Sequence, residues 1–342
     1  MRSGIEKMWY GRSAPLWLAP LSGLYGAAMA LRSVLYRLGL RHRVKVGAPV
    51  VVVGNLTVGG TGKTPLVAWL STRLTATGMR VAVVSRGYGG RARGVTRVTV
   101  HSRPSEVGDE PLLLARRAQA TVFIGRDRVA AARTAVADGA DIVLCDDGLQ
   151  HLALVRQCEI VVIDGQRGFG NGRLLPRGPL RESPRRLRRV NAVVLNGAAT
   201  APDFSLPKFV RGTHFVMKMS PGDARPVAGG GALRSLASFR GGGVHAVAAI
   251  GNPQRFFDML REAGLTLYEH PMPDHHPFKP GDLNFGDNLP VLMTEKDAVK
   301  CASFADERCW YVPVTAEFRE SEARELVDLI LARVKAFKTA GH

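Results

Sequence analysis

Residues 50–64 read Val50-Val51-Val52-Val53-Gly54-Asn55-Leu56-Thr57-Val58-Gly59-Gly60-Thr61-Gly62-Lys63-Thr64. Four consecutive valines predict a strand buried on both faces, as in a parallel sheet. A glycine-rich turn follows, and Pro65-Leu66-Val67-Ala68-Trp69-Leu70 opens an apolar helix. Strand, glycine turn and helix, with Gly62-Lys63-Thr64 at the junction, is the order of a phosphate-binding loop. Thr57, Val58, Gly59, Gly60, Thr61, Gly62, Lys63 and Thr64 are therefore the expected nucleotide-binding residues. The glycines let backbone N–H groups converge on phosphate oxygens, and the helix offers its positive end. Lys63 is placed to reach the β- and γ-phosphates, and the Thr64 hydroxyl to hold Mg²⁺. One departure stands out: Thr57 occupies the position where the usual loop has its first glycine, and the glycines lie further in, at 59 and 60.

Downstream, apolar runs alternate with helical stretches. Strands are expected at residues 79–84, 121–124, 141–146, 159–164 and 192–196, with helices between several of them. This alternation predicts an α/β fold, a P-loop NTPase-like parallel sheet with ligands at the carboxyl ends of its strands. Asp146-Asp147 closes one apolar run, which puts carboxylates at a strand tip near the phosphates, where a metal-binding acid belongs. Asp164 ends the next strand in the same way and reads as a decoy or an outer group. Residues 197–208 read as a linker. A smaller α/β unit follows, with strands near 244–250 and 289–294 and an amphipathic helix at 321–337. The expected organisation is 1–45 as an N-terminal membrane-associated helix with a basic flank, 46–198 as the P-loop domain, and 199–342 as a second α/β domain closing over the nucleotide. The last few residues are expected to be disordered.

The first residues carry Arg2, Lys7 and Arg12. Residues 13–31 then carry no charge, and Arg32, Arg37, Arg41, Arg43 and Lys45 follow. A transmembrane helix needs about 20 apolar residues, and Pro15, Pro20 and several small residues dilute this run. A cleaved signal peptide is disfavoured by the nucleotide loop close behind. An interfacial helix fits best, with Trp9, Tyr10, Trp17, Tyr25 and Tyr36 at headgroup level and arginines for anionic lipid. The net charge of +18 points to an anionic partner. Cys145, Cys158, Cys301 and Cys309 form no CxxC pair and read as reduced residues, Cys145 in the core.

Asp109-Glu110 precedes a helix and fits either an N-terminal cap or an acid with a chemical role. His275-His276, bounded by Asp274 and Pro277, suits acid–base work. The arginines from 177 to 189 surround Pro-Arg-Gly-Pro-Leu-Arg-Glu (176–182), which reads as a shaped phosphate clamp.

The ordered motifs resemble the tetraacyldisaccharide 4′-kinases of lipid A synthesis over nearly the whole chain. They comprise residues 53–65, Ser-Arg-Gly-Tyr-Gly-Gly (85–90), Gly-Asp-Glu-Pro (108–111), Asp-Asp-Gly-Leu-Gln-His (146–151) and Leu-Leu-Pro-Arg-Gly-Pro-Leu-Arg-Glu (174–182). Ile-Gly-Asn-Pro-Gln-Arg-Phe-Phe (250–257), Asp-His-His (274–276) and Thr-Glu-Lys-Asp-Ala (294–298) complete the set. The resemblance implies transfer of the γ-phosphate of ATP to the 4′-hydroxyl of a tetraacyl glucosamine disaccharide 1-phosphate, giving lipid IVA. It implies a monotopic bacterial inner-membrane enzyme working from the cytoplasmic face. By the same resemblance Asp109 is the base, paired with His275, and Asp146 and Asp147 serve Mg²⁺ and the triphosphate. Thr294, Glu295 and Lys296 close on the nucleotide base. Arg86, Glu110, Arg126, Gln150 and Arg181 are the expected acceptor contacts.

Two other classes share part of this pattern. A membrane-positioning ATPase switch with the same glycine variant carries a lysine before the paired glycines, where Val58 stands here. A nucleic-acid-binding protein fits the charge but lacks aromatic stacking patches among the basic residues. Neither nucleic acid nor an obligate protein partner is expected.

Overall fold

The computed structural model describes residues 4–11, 14–201, 204–207 and 212–340. Arg2, the Lys7 side chain, Arg12, part of the expected linker and the end at 341–342 lie outside the described residues.

In chain order the elements are α1 (Gly4–Tyr10), α2 (Ala19–Arg37), β1 (Val50–Gly54), α3 (Lys63–Thr75), β2 (Val81–Ser85), β3 (Thr96–Val98), α4 (Pro104–Val107), α5 (Asp109–Arg117), β4 (Thr121–Ile124), α6 (Arg128–Ala137), β5 (Ile142–Asp146), β6 (Cys158–Asp164) and β7 (Ala192–Asn196). The second half adds β8 (Thr213–Pro221), β9 (Arg225–Pro226), β10 (Gly243–Ala248), α7 (Pro253–Glu262), β11 (Thr266–Pro271), β12 (Val291–Thr294), α8 (Glu295–Cys301), β13 (Cys309–Val312), β14 (Val314–Glu317) and α9 (Glu320–Thr339).

Among the described residues, a nine-stranded sheet has the order β14-β8-β7-β6-β1-β5-β2-β4-β3, and a five-stranded sheet runs β11-β10-β12-β13-β9. In the large sheet β3 and β14 are antiparallel to their neighbours and the rest are parallel. Every residue of β1, β2, β5 and β7 is buried, as strands covered on both faces require. Val51 and Val53 face one core with α3, while Val50 and Val52 face the other with α6. The chain order switches direction at β1, whose neighbours are β5 and β6. That reversal opens the crevice in which such sheets bind ligands.

The expected division at 198/199 does not follow sheet membership. β8 and β14 extend the first sheet, and Leu326, Ile330 and Val334 of α9 bury themselves in the core that contains Leu66 and Leu70 of α3. The amphipathic C-terminal helix therefore belongs to the first lobe. It is the smaller sheet, with α7 and α8, that forms the second.

Candidate active site

β1 delivers the chain into the phosphate loop, and the loop is held from several sides. Asn55, fully buried, donates from Nδ2 to Thr57 O at 2.7 Å. The 174–181 strap pairs alongside: Val58 N–H donates to Pro179 O (2.8 Å) and Arg181 N–H to Leu56 O (2.6 Å). Asn196, at the tip of β7, donates to Thr61 O at 2.9 Å. Gly62 takes φ 91° immediately before α3, and a Cβ there would lie 2.4 Å from Asn196 Nδ2. Only glycine meets both demands without cost.

Asp146 and Asp147 end β5 differently. Asp147 adopts φ 50°, accepts both oxygens' worth of contact from Arg181 Nη1 (3.0 Å each), and lies 3.6 Å from Lys63 Nζ. Burial works against its charge, but Lys63 and Arg181 hold its carboxyl below the usual range. Asp146 is buried, with Oδ1 lacking a hydrogen-bond partner among the described residues. Burial first, then the nearby Glu110 carboxylate, pushes Asp146 up to about 7. A buried, unpartnered carboxylate oxygen beside a triphosphate loop is a hard-cation donor in waiting. Among the described residues no cluster of three or more His, Cys, Asp or Glu could hold a metal alone.

The other half joins α5 of the first lobe to a loop and α8 of the second. Asp109 and Glu110 open α5, and neither side chain caps it. His275 sits with Nδ1 3.9 Å from Asp109 Oδ2, at φ 62°. Among the described residues Asp147 and His275 are the non-glycine positions in the left-handed region, and such strain persists where surrounding structure over-determines it. His276 turns away to Asp282 Oδ2 (3.0 Å), so it is His275 that faces the acid. Burial opposes ionisation of Asp109, but His275, Lys300 and Lys296 hold it below its ordinary value. Lys296 Nζ contacts Glu110 Oε1 at 3.1 Å and lies 3.4 Å from His275 Nε2. The Tyr88 ring centroid is 5.1 Å from that of His275.

The remaining expected residues fall into three groups. Arg86 and Arg126 line a cavity of about 330 Å³ with Tyr88 and Gly90. Gln150 joins the Asp147 group, donating to Glu182 Oε1 (2.9 Å) and Asn55 O (3.3 Å) and facing Arg181 Nη1 at 3.5 Å. On α8, the Thr294 hydroxyl caps the helix, accepting from Asp297 N–H at 3.2 Å and donating to Asp297 Oδ2 at 2.6 Å. Glu295 pairs with Arg117 of α5. Asp164 accepts from Arg255 Nη2 of α7 at 3.0 Å, which makes it a tie between the lobes. Sequence reasoning passed over Asn196, Arg167 and Lys300. Arg167 Nη1 donates to Gly251 O at 2.6 Å, and Lys300 Nζ lies 3.7 Å from Asp109 Oδ2. Of the three, Lys300 alone carries a local signal: it lies four residues after Lys296 and shares its helix face.

The N-terminal helix docks against this site. Trp9 Nε1 donates to Pro176 O (2.9 Å), Ser22 Oγ to Leu174 O (2.9 Å) and Tyr25 OH to Arg181 O (3.0 Å). No residue of α2 is fully buried, and Leu16, Trp17, Leu21, Leu24 and Leu31 are exposed.

The family model described as Tetraacyldisaccharide-1-P 4′-kinase matches residues 14–334. The chain belongs to the tetraacyldisaccharide 4′-kinase family. It is 50% identical over 328 residues to a tetraacyldisaccharide 4′-kinase of Alkalilimnicola ehrlichii, covering 94% of this chain and 96% of the relative. Against the enzyme of the same description from Methylobacillus flagellatus it is 46% identical, covering 96% and 95%. Among solved structures, LpxK from Aquifex aeolicus in complex with ATP is similar at a TM-score of 0.77 and 27% identity, covering 93% of this chain and 98% of that one.

Proposed function

We propose that this family member transfers the γ-phosphoryl group of ATP to the 4′-hydroxyl of a tetraacyl glucosamine disaccharide 1-phosphate, forming lipid IVA, with Asp109 as the base. The observation that carries this assignment of the base is the Asp109–His275 pair, assembled from two lobes beside the phosphate loop. Phosphoryl transfer asks mostly for positioning and charge neutralisation. Lys63 and the N-terminal end of α3 receive the triphosphate. The acceptor oxygen attacks the γ-phosphorus, its proton passes to Asp109, and the bond to the β-phosphate oxygen breaks to release ADP. His275 orients the Asp109 carboxylate. Arg181 and Gln150 hold Asp147 and the strap in place, and Arg86 with Arg126 offers charge for an anionic acceptor. Thr64, Asp146 and Asp147 would hold Mg²⁺, which supplies neutralisation of phosphate charge. α8 joins the lobes through Glu295–Arg117 and Lys296–Glu110.

The site of action is the cytoplasmic face of the bacterial inner membrane, with α2 lying in the interface. The apolar helix from Leu16 to Arg37 has 22 residues, long enough to cross a hydrocarbon core of ~30 Å. Ser22 and Tyr25, however, bond to the strap. A helix whose middle is fastened to the catalytic body cannot also cross the bilayer there, and its exposed leucines with Arg32 and Arg37 suit a monotopic seat.

The test is transfer from labelled ATP to a detergent-solubilised disaccharide 1-phosphate lipid, comparing wild type with Asp109→Ala. Loss of about 10²–10⁴ in kcat with ATP binding kept is expected. Transfer that survives the change returns Asp109 to a structural role, and ATP hydrolysis without any transfer overturns the kinase reading.

A further inference from the structure

Lys296 and Lys300 stand one turn apart on α8 and face the acid pair that opens α5. Lys296 is matched by Glu110. Lys300, with only 12% of its side chain exposed, sits between two carboxylates: Nζ is 3.2 Å from Asp297 Oδ1 and 3.7 Å from Asp109 Oδ2. Asp297 is fully buried. Its second oxygen accepts from the Thr294 hydroxyl at 2.6 Å and from Ala249 N–H, just past β10, at 2.9 Å. The lysine is thus aimed by a buried anion, which is itself fixed by the cap of α8 and the end of a central strand. Charge held this way is screened far less than a solvated lysine.

We propose that Lys300 is a positioning residue for phosphoryl transfer: from the second lobe, braced by Asp297, it fixes the Asp109 carboxylate in place and in its ionised form. This rests on Asp109 being the base. The groups facing Asp109 are His275 from its loop, Lys296 and Lys300 from α8 and Glu110 from α5, with Asp274 beside His275 and Asp297 behind Lys300. Removing the Lys300 charge raises the proton affinity of Asp109, so its carboxylate must protonate at higher pH. Among the described residues the contacts of Lys300 are with Asp109, Asp297 and Phe278, away from the phosphate loop, so nucleotide affinity is spared.

The experiment compares full-length, detergent-solubilised wild type, Lys300→Met, Lys300→Arg and Asp109→Asn across the pH range. In Lys300→Met the acid limb of kcat moves up by about one unit, as loss of a cation within 4 Å of a carboxylate dictates. Its KM for ATP stays within about twofold of wild type, and Lys300→Arg returns the limb toward wild type. Since Lys300→Met leaves Asp297 buried and unpaired, Lys300→Met/Asp297→Asn is measured beside it, and the same shift is expected there. A lowered kcat with an unmoved limb in both, or no rescue by arginine, overturns the proposal while Asp109→Asn remains inactive. If Asp109→Asn keeps wild-type turnover, the base assignment fails, and the proposal with it.

Discussion

Replacing Gly62 by alanine should cost far more than one methyl group, and the structure divides the cost into two parts. At φ 91° an L-residue pays about 1–2 kcal/mol of backbone strain. The new Cβ would also lie 2.4 Å from Asn196 Nδ2. That drives the amide off Thr61 O, and an orphaned buried acceptor costs about 1–3 kcal/mol. Met219 Cε, 3.2 Å away, can move. Gly62→Ala should therefore destabilise by about 2–5 kcal/mol and weaken ATP binding. Asn196→Ala loses the same hydrogen bond and vacates the space, so Gly62→Ala in that background should cost only the strain of about 1–2 kcal/mol. Unfolding and ATP titration of the four proteins form a double-mutant cycle with coupling of about 1–3 kcal/mol. Costs that add within about 0.5 kcal/mol would refute the argument that Asn196 and Gly62 share one constraint.

Three shorter predictions follow from other contacts. Burial, with Arg128 and Arg156, pushes His151 down from 6.5 to about 4. The unfolded chain then binds the extra proton first, so stability falls as pH drops from about 6.5 to 4; His151→Gln should flatten the unfolding midpoint over that window, and an unchanged slope removes His151 as the cause. Thr294→Ala removes the cap of α8 and should lower stability by about 1 kcal/mol; a large rise in ATP KM without destabilisation would instead make Thr294 a nucleotide contact. Trp17→Ser/Leu24→Ser should cut sedimentation with anionic vesicles severalfold while leaving ATP binding intact, and vesicle binding equal to wild type would remove α2 as the membrane seat.

The phosphate loop was legible in sequence because its determinants are adjacent: a double-buried strand, glycines that allow positive φ, and a helix start all fall within fifteen residues. The strand tip at Asp146-Asp147 was legible for the same reason. What divides the two acids was not, since Asp147 is matched by Arg181, 34 positions later, while buried Asp146 Oδ1 has no hydrogen-bond partner among the described residues. β8 escaped notice because its burial alternates and its pairing with β7 is parallel, so nothing local marks it as part of the first sheet. α9 showed its apolar stripe plainly, but a stripe does not say which core it covers. The choice between His275 and His276 likewise depended on where their loop lands against α5.

The same strap that pairs with the phosphate loop also receives the N-terminal helix. Leu56 and Val58 of the loop bond to Arg181 and Pro179, Arg181 reaches Asp147 with its side chain, and its carbonyl accepts from Tyr25. A helix fastened only for membrane attachment could sit anywhere on the surface. Here the helix that presents exposed leucines also shares hydrogen bonds, through Ser22 and Tyr25, with the strap beside the phosphate loop. The acylated acceptor must remain in the membrane while its sugar hydroxyl meets the γ-phosphate. If α2 is the membrane seat proposed above, its bond to Arg181 keeps that distance short. Tyr25→Phe tests this directly. It leaves the apolar face intact and removes one bond to Arg181, so vesicle binding should persist while kcat with lipid acceptor falls severalfold. Unchanged turnover would make the contact incidental to catalysis.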